Sequence, residues 1–341
     1  MKKIGKLILV VVLIVSTMLA GCGSKEKEKK SGTSKSEGKD ETVTIRLGVG
    51  TSRTPHFTAL VGQEEGIFEK YGLNVEIVEF TSGIETINGI ELGQVDFGYV
   101  ADFGGLNRLG NAQDANLRFI SRLESSATMK FYVNPDSISS LEDLKGKNIL
   151  CLPGTVIEYW DAKIIGKAGL TKDDVKILNV NSAQEELALL EKGEADASWV
   201  APVNFDKVES YGYKPLTTQE EQKLYQDSYY VATPDYIQNN EDTLIKFMKA
   251  INEINEFITD NPDKAAEIIS SKTGMEVENV KSTLAGCKLV MDFSQSAYES
   301  LQDINQWAVE NGYYKNSLNL DDYIDTSILK KALPEADIYN K

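Results

Sequence analysis

His56 is the only histidine in this chain of 341 residues, and its isolation restricts the chemistry available. Zinc sites built on several histidines lack their ligands, and neither a Ser-His-Asp nor a Cys-His hydrolase is read here. Three cysteines occur, Cys22, Cys151 and Cys287. The last two lie far apart without metal-like spacing and read as buried free thiols rather than a disulfide. The glycine-rich run Gly48-Val49-Gly50-Thr51-Ser52-Arg53 follows a strand pattern but puts Arg53 where a dinucleotide fingerprint needs its third glycine. No G-x-x-x-x-G-K-[ST] string occurs. No catalytic residue, metal or cofactor is therefore expected.

What remains is binding chemistry. Helix patterns open after Thr54, Ser82, Thr155 and Ser182, each just beyond a strand pattern. Backbone amides at such starts suit the anionic or carbonyl end of a small polar ligand. Ser82, with Gly83 beside it, and Thr155 are the preferred contacts, and each hydroxyl also caps its helix. Phe103 and Trp199 follow or end strands and could close over an apolar or ring-bearing ligand, with core packing as the alternative for Trp199. Four acids, Glu85, Asp102, Glu158 and Asp161, fall near the same rims, while Arg53 and His56 are the only cationic candidates near the first helix. That balance leaves a zwitterion or a neutral heterocycle as plausible a ligand as a simple anion.

The elements that position these residues repeat at an offset of 100. Val75–Phe80 is answered by Val175–Val180, Ser82-Gly83-Ile84-Glu85 by Ser182-Ala183-Gln184-Glu185, and Gly93-Gln94-Val95-Asp96 by Gly193-Glu194-Ala195-Asp196. Each set reads as strand, capping box, helix stop and strand. Two β-α-β units of equal length imply an α/β protein of two similar lobes, each a sheet flanked by helices, and if the lobes face each other the four helix starts aim at one crevice.

The N-terminus sets the compartment. Lys2, Lys3 and Lys6 precede an apolar run, Leu7 to Ala20, which as a helix spans only about 21 Å, short of a bilayer core. It reads as an export signal. Leu19-Ala20-Gly21-Cys22 at its end resembles the bacterial lipobox, implying cleavage after residue 21 and lipidation of Cys22. Residues 22–41 contain no aliphatic or aromatic side chain beyond that cysteine and read as a flexible linker with a reach of about 24 Å. Without the nine lysines and five acids of residues 1–41, the body keeps 27 basic and 47 acidic residues, a formal charge of −20. Such a surface argues against nucleic acid as a partner.

Gly66-Ile67-Phe68-Glu69-Lys70-Tyr71-Gly72-Leu73, Phe80-Thr81-Ser82-Gly83, Gly93-Gln94-Val95-Asp96-Phe97 and Leu141-Glu142-Asp143-Leu144-Lys145-Gly146 occur here in an order and spacing that resembles the solute-binding proteins of ABC importers in the nitrate, sulfonate and taurine branch, which includes binders of thiamine-related pyrimidines. The resemblance implies a periplasmic-binding-protein-like fold with two hinge crossings, read at 127–133 and 227–233, so that residues 42–133 and 227–341 form lobe 1 and 134–226 lobe 2. It adds Thr51 and Ser52 to the expected ligand contacts. It further implies a monomer, lipid-anchored on the outer face of the membrane, that delivers a small organic anion or zwitterion to a permease and its ATPase. A rival from another class is the fungal pyrimidine synthase of thiamine biosynthesis, which resembles this fold. Its cysteine-rich motif and lysine-histidine pair are absent here.

Overall fold

The computed structural model describes residues 42–50, 54–81, 83–112 and 116–340. Cys22, Thr51, Ser52 and Ser82, and the expected leader and linker, lie outside them. The described strands are β1 (Val43–Gly50), β2 (Leu73–Phe80), β3 (Phe97–Ala101), β4 (Arg118–Ser126), β5 (Lys130–Val133), β6 (Asn148–Cys151), β7 (Lys176–Asn179), β8 (Ala197–Val200), β9 (Lys214–Thr218), β10 (Gln226–Ala232) and β11 (Cys287–Asp292). The described helices are α1 (Thr54–Glu64), α2 (Ile67–Lys70), α3 (Gly83–Glu91), α4 (Asp102–Asn111), α5 (Ile157–Lys167), α6 (Ala183–Glu191), α7 (Phe205–Ser210), α8 (Gln219–Gln222), α9 (Pro234–Asn239), α10 (Glu241–Asp260), α11 (Pro262–Thr273), α12 (Val277–Ala285), α13 (Gln295–Glu310) and α14 (Ser327–Ala332).

The repeat read from the sequence is a structural one. Around β1, the parallel neighbours are β2 and β3; around β6, they are β7 and β8. Gly93 and Gly193 both end their helices at φ 67°, a left-handed stop that side chains with a Cβ adopt at a cost. Three residues on, Asp96 and Asp196 do the same work. Their carboxylates accept from the amides of Arg46 (2.6 Å) and Asn148 (2.8 Å), and their own amides donate to the carbonyls of those residues. Each tie fixes the end of the helix-to-strand turn against the strand that lies between the two parallel neighbours.

Antiparallel strands complete two mixed sheets, ordered β11-β4-β10-β3-β1-β2 and β7-β6-β8-β5-β9. The chain enters the second sheet between Ser126 and Lys130 and returns between Thr218 and Gln226. The two strands expected as crossings thus each belong to a sheet: β5 pairs with β8 and β9, and β10 with β3 and β4. The links between them are residues 127–129 and 219–225. Buried Gln219 ties one link to the other, its side chain accepting from the Met129 amide at 2.7 Å and its amide donating to the Met129 carbonyl.

The C-terminal helices cover the first sheet. Helix α10 buries Leu244, Phe247, Met248, Ile251, Ile254 and Ile258 along one side, and Phe247 meets the rings of Phe68, Phe97 and Tyr230. Helix α13 buries Ala297, Leu301, Ile304, Trp307 and Ala308 and packs on α4.

Candidate ligand-binding site

Strand β3 runs directly into α4, whose first residue is Asp102. Its carboxylate is fully buried and accepts from the Phe103 amide (2.6 Å) and from the Asp227 amide on β10 (3.0 Å). Burial, with the neighbouring Asp227 charge, pushes its pKa up to about 7 against the pull of those two amides. Asp227 is in turn 3.3 Å from Arg122, which also grips Asp292 at 2.7 Å and 2.8 Å and Ser294 at 3.2 Å. One guanidinium thus faces two acids with a third close by, and Asp102 is the one left to take up a proton near neutrality.

In the second sheet, β6 ends at Cys151 and turns into α5. Thr155 donates its hydroxyl to the Leu152 carbonyl (2.8 Å) and accepts from the Ile157 amide, while Glu158 accepts from the Gly154 amide (2.9 Å). Both expected contact residues therefore shape this turn. Burial raises the Glu158 pKa, opposed by the Gly154 amide and the charge of Lys172. Below them Asp161 is buried with no hydrogen-bond partner on either oxygen. The Cys151 thiol and Trp199 indole lie near enough to favour its charge but outside hydrogen-bond geometry, and burial holds its pKa well above the carboxylate range. Burial, then Asp161, pushes the Cys151 thiol up as well, away from the reactive thiolate.

Trp199 is 1% exposed, its ring 5.3 Å from Phe131 and 5.7 Å from Trp160. Phe103 is fully buried, 5.6 Å from Trp307 and 5.1 Å from Tyr313. Trp307 continues the series to Tyr159 at 5.4 Å, and Tyr159, at the start of α5, feels the Asp102 charge. The structure thus joins Asp102 and Phe103, beyond the first sheet, to the helix that follows the Thr155 turn and carries Glu158, beyond the second. His56 stands elsewhere, on α1, with Nε2 3.2 Å from Glu79 on β2. Burial lowers its pKa against the Glu79 charge, so it is a weak source of positive charge at neutral pH. Gly83 opens α3 close to the end of β3, where a Cβ would stand 3.2 Å from Val100.

Sequence reasoning missed Arg122, Asp227 and Tyr159. The one available signal was Arg122 itself, a charge inside the otherwise uncharged run Phe119-Ile120-Ser121-Arg122-Leu123. Among the described residues no group of His, Cys, Asp and Glu could hold a metal ion.

Two mixed sheets flanked by helices and joined by two links, with polar and aromatic residues gathered where helices leave the strands, define the periplasmic-binding-protein class of fold. The periplasmic aliphatic sulphonate binding protein SsuA from Escherichia coli matches it with a TM-score of 0.72 at 17% identity, over 83% of this chain and 92% of that one. The family described as NMT1/THI5 like matches residues 53–265, and the chain belongs to that family. A protein of Bacillus subtilis (strain 168) named for binding aliphatic sulfonates is 25% identical over 96% of this chain and 97% of its own length. The fold also carries catalysis: the desulfurization enzyme DSZB matches with a TM-score of 0.66 at 15% identity, over 85% of this chain and 99% of its own. The fold and family expected from the sequence are both borne out.

Proposed function

We propose that the chain is an extracytoplasmic solute-binding protein that captures one small polar organic molecule between its two sheets and hands it to an ABC permease. The observation that carries this reading is the aromatic series Phe103, Trp307 and Tyr159, which brings the helix start beyond β3 to the helix start beyond β6. Helix starts at strand ends offer oriented amides to a ligand in open α/β sheets. The B. subtilis relative, matched over nearly its whole length, supports a sulfonate-like solute as the first class to test. In this reading Thr51, Ser52, Ser82, Gly83 and Thr155 supply polar contacts. Residues 42–133 with 227–341, and 134–226, act as the two lobes. Cys22 anchors the protein to the outer face of the membrane; among the described residues no helix is long and apolar enough to cross one.

A second ligand class is favoured by the acids. Burial raises both the Asp161 and the Glu158 carboxyls, so a fully anionic head near α5 would meet two acids beside the one Lys172 charge. A zwitterion or a neutral heterocycle such as a pyrimidine fits that wall better. The test is a thermal-shift panel of alkanesulfonates, taurine, nitrate, bicarbonate and pyrimidine precursors. A true ligand at a hundred times its Kd stabilises the fold by about 2.7 kcal/mol. A panel in which no solute raises the melting temperature, while one of them is consumed, overturns the receptor reading in favour of an enzyme.

A further inference from the structure

Helix α5 belongs with the second sheet and α13 packs on α4 beside the first. At this point side chains of the two helices converge on one carboxylate beside a buried pair of rings. Asp303 on α13 accepts from the Tyr159 hydroxyl and from the Lys163 ammonium at 2.8 Å, two residues one helical turn apart on α5. The Tyr159 ring stands edge-on to Trp307, at 5.4 Å and 76°, one turn further along α13. Tyr159 and Trp307 are each only 9% exposed. A hydroxyl, an ammonium and a ring edge from one helix thus meet a carboxylate and an indole from the other, while one turn further along α5 Lys167 donates to Gln222 of the second link.

We infer that Asp303, with Tyr159 and Lys163, is a clasp that holds the two sheet-bearing bodies together over the cleft and thereby determines ligand affinity without touching the ligand. The inference rests on the receptor reading for the affinity and on the geometry alone for the closure. The physical basis is population: where binding requires the closed state, apparent affinity falls with the fraction of protein that is closed. A clasp made by charge-assisted hydrogen bonds that is half open to solvent, as Asp303 is here, shifts that fraction by about fivefold to tenfold. Loss of the contact leaves most of the packing of each body in place: neither Asp303 nor Lys163 is part of a core, and Tyr159→Phe keeps the buried Tyr159 ring.

The experiment compares Asp303→Asn, Asp303→Glu and Tyr159→Phe with wild type by hydrogen exchange and small-angle scattering, without ligand. Asp303→Asn and Tyr159→Phe are expected to leave the melting temperature within a degree or two. They should speed exchange in the facing turns of α5 and α13 by about fivefold to tenfold and raise the radius of gyration. Asp303→Glu, which keeps the charge, should restore part of the protection. Unchanged exchange and radius in Asp303→Asn overturn the clasp. If the variants open as expected but no solute of the panel binds wild type, the clasp stands and the receptor reading falls. If a panel solute binds and Asp303→Asn leaves its Kd unaltered, the clasp does not set affinity and the inference fails.

Discussion

Asp102→Asn should change the sign of its stability effect between pH 5 and pH 8. The wild-type carboxyl titrates at about 7 in the folded chain, raised first by burial and then by Asp227, and near 3.9 when unfolded. A carboxyl whose folded pKa is raised contributes stability that is fully present below its unfolded pKa and is lost as pH rises through the folded one. Between pH 5 and pH 7 the folded state holds a proton that the unfolded state has released, so wild type loses about 1.4 kcal/mol per pH unit, or about 2.7 kcal/mol in all. The amide of the variant has no such proton to lose. It has one acceptor oxygen for the Phe103 and Asp227 amides that Asp102 serves with two, a loss of about 1 kcal/mol. The variant is therefore expected to be less stable than wild type by about 1 kcal/mol at pH 5 and more stable by about 1 to 2 kcal/mol at pH 8. Urea unfolding at both pH values measures it, and Glu186, also raised to about 7 by burial, cancels because both proteins carry it. A difference that stays constant from pH 5 to pH 8 would refute a carboxyl titrating in this range.

Three other outcomes are expected, two from the structure and one from the N-terminal sequence. Arg122→Met leaves Asp227 and Asp292 facing each other without their shared guanidinium and should cost about 3 to 5 kcal/mol in guanidinium unfolding; a loss below about 1 kcal/mol would mean that the acids find other partners. Trp199→Phe removes part of a ring packed between Phe131 and Trp160 and should lower stability by about 1 to 3 kcal/mol, whereas a neutral effect on stability with a changed ligand affinity would return Trp199 to the ligand. Cys22→Ala should abolish fatty-acid labelling and leave uncleaved precursor, and a wild-type protein that takes up no labelled fatty acid would dismiss the anchor.

The repeat was legible because its signals are local. Gly93 and Gly193 stop their helices through a backbone conformation that glycine adopts readily, and Ser182 caps α6 by accepting from the Glu185 amide. Such features depend on neighbours within a few residues. The edges of the two sheets were harder to read, because a β-rich run around 127–133 has the same composition whether it links two sheets or joins one. Pairing partners decide that, and for β5 they lie at β8 and β9, more than sixty residues on. The site was the least legible for the same reason. Asp102 meets Asp227 across 125 residues and Tyr159 meets Asp303 across 144, so neither pair leaves a spacing to find. Phe103 follows β3 and Trp199 stands near the end of β8, but such a position says nothing about which rings will cover them.

The central claim, one solute per chain taken up and given back unchanged, is tested most directly by native mass spectrometry of the full chain incubated with the best hit of the solute panel. The account predicts a single adduct of one solute mass, saturating at one per chain, and release on denaturation of a molecule with the mass that was added. Recovery of a chemically altered solute, or an unliganded chain at concentrations that raise the melting temperature, would contradict it.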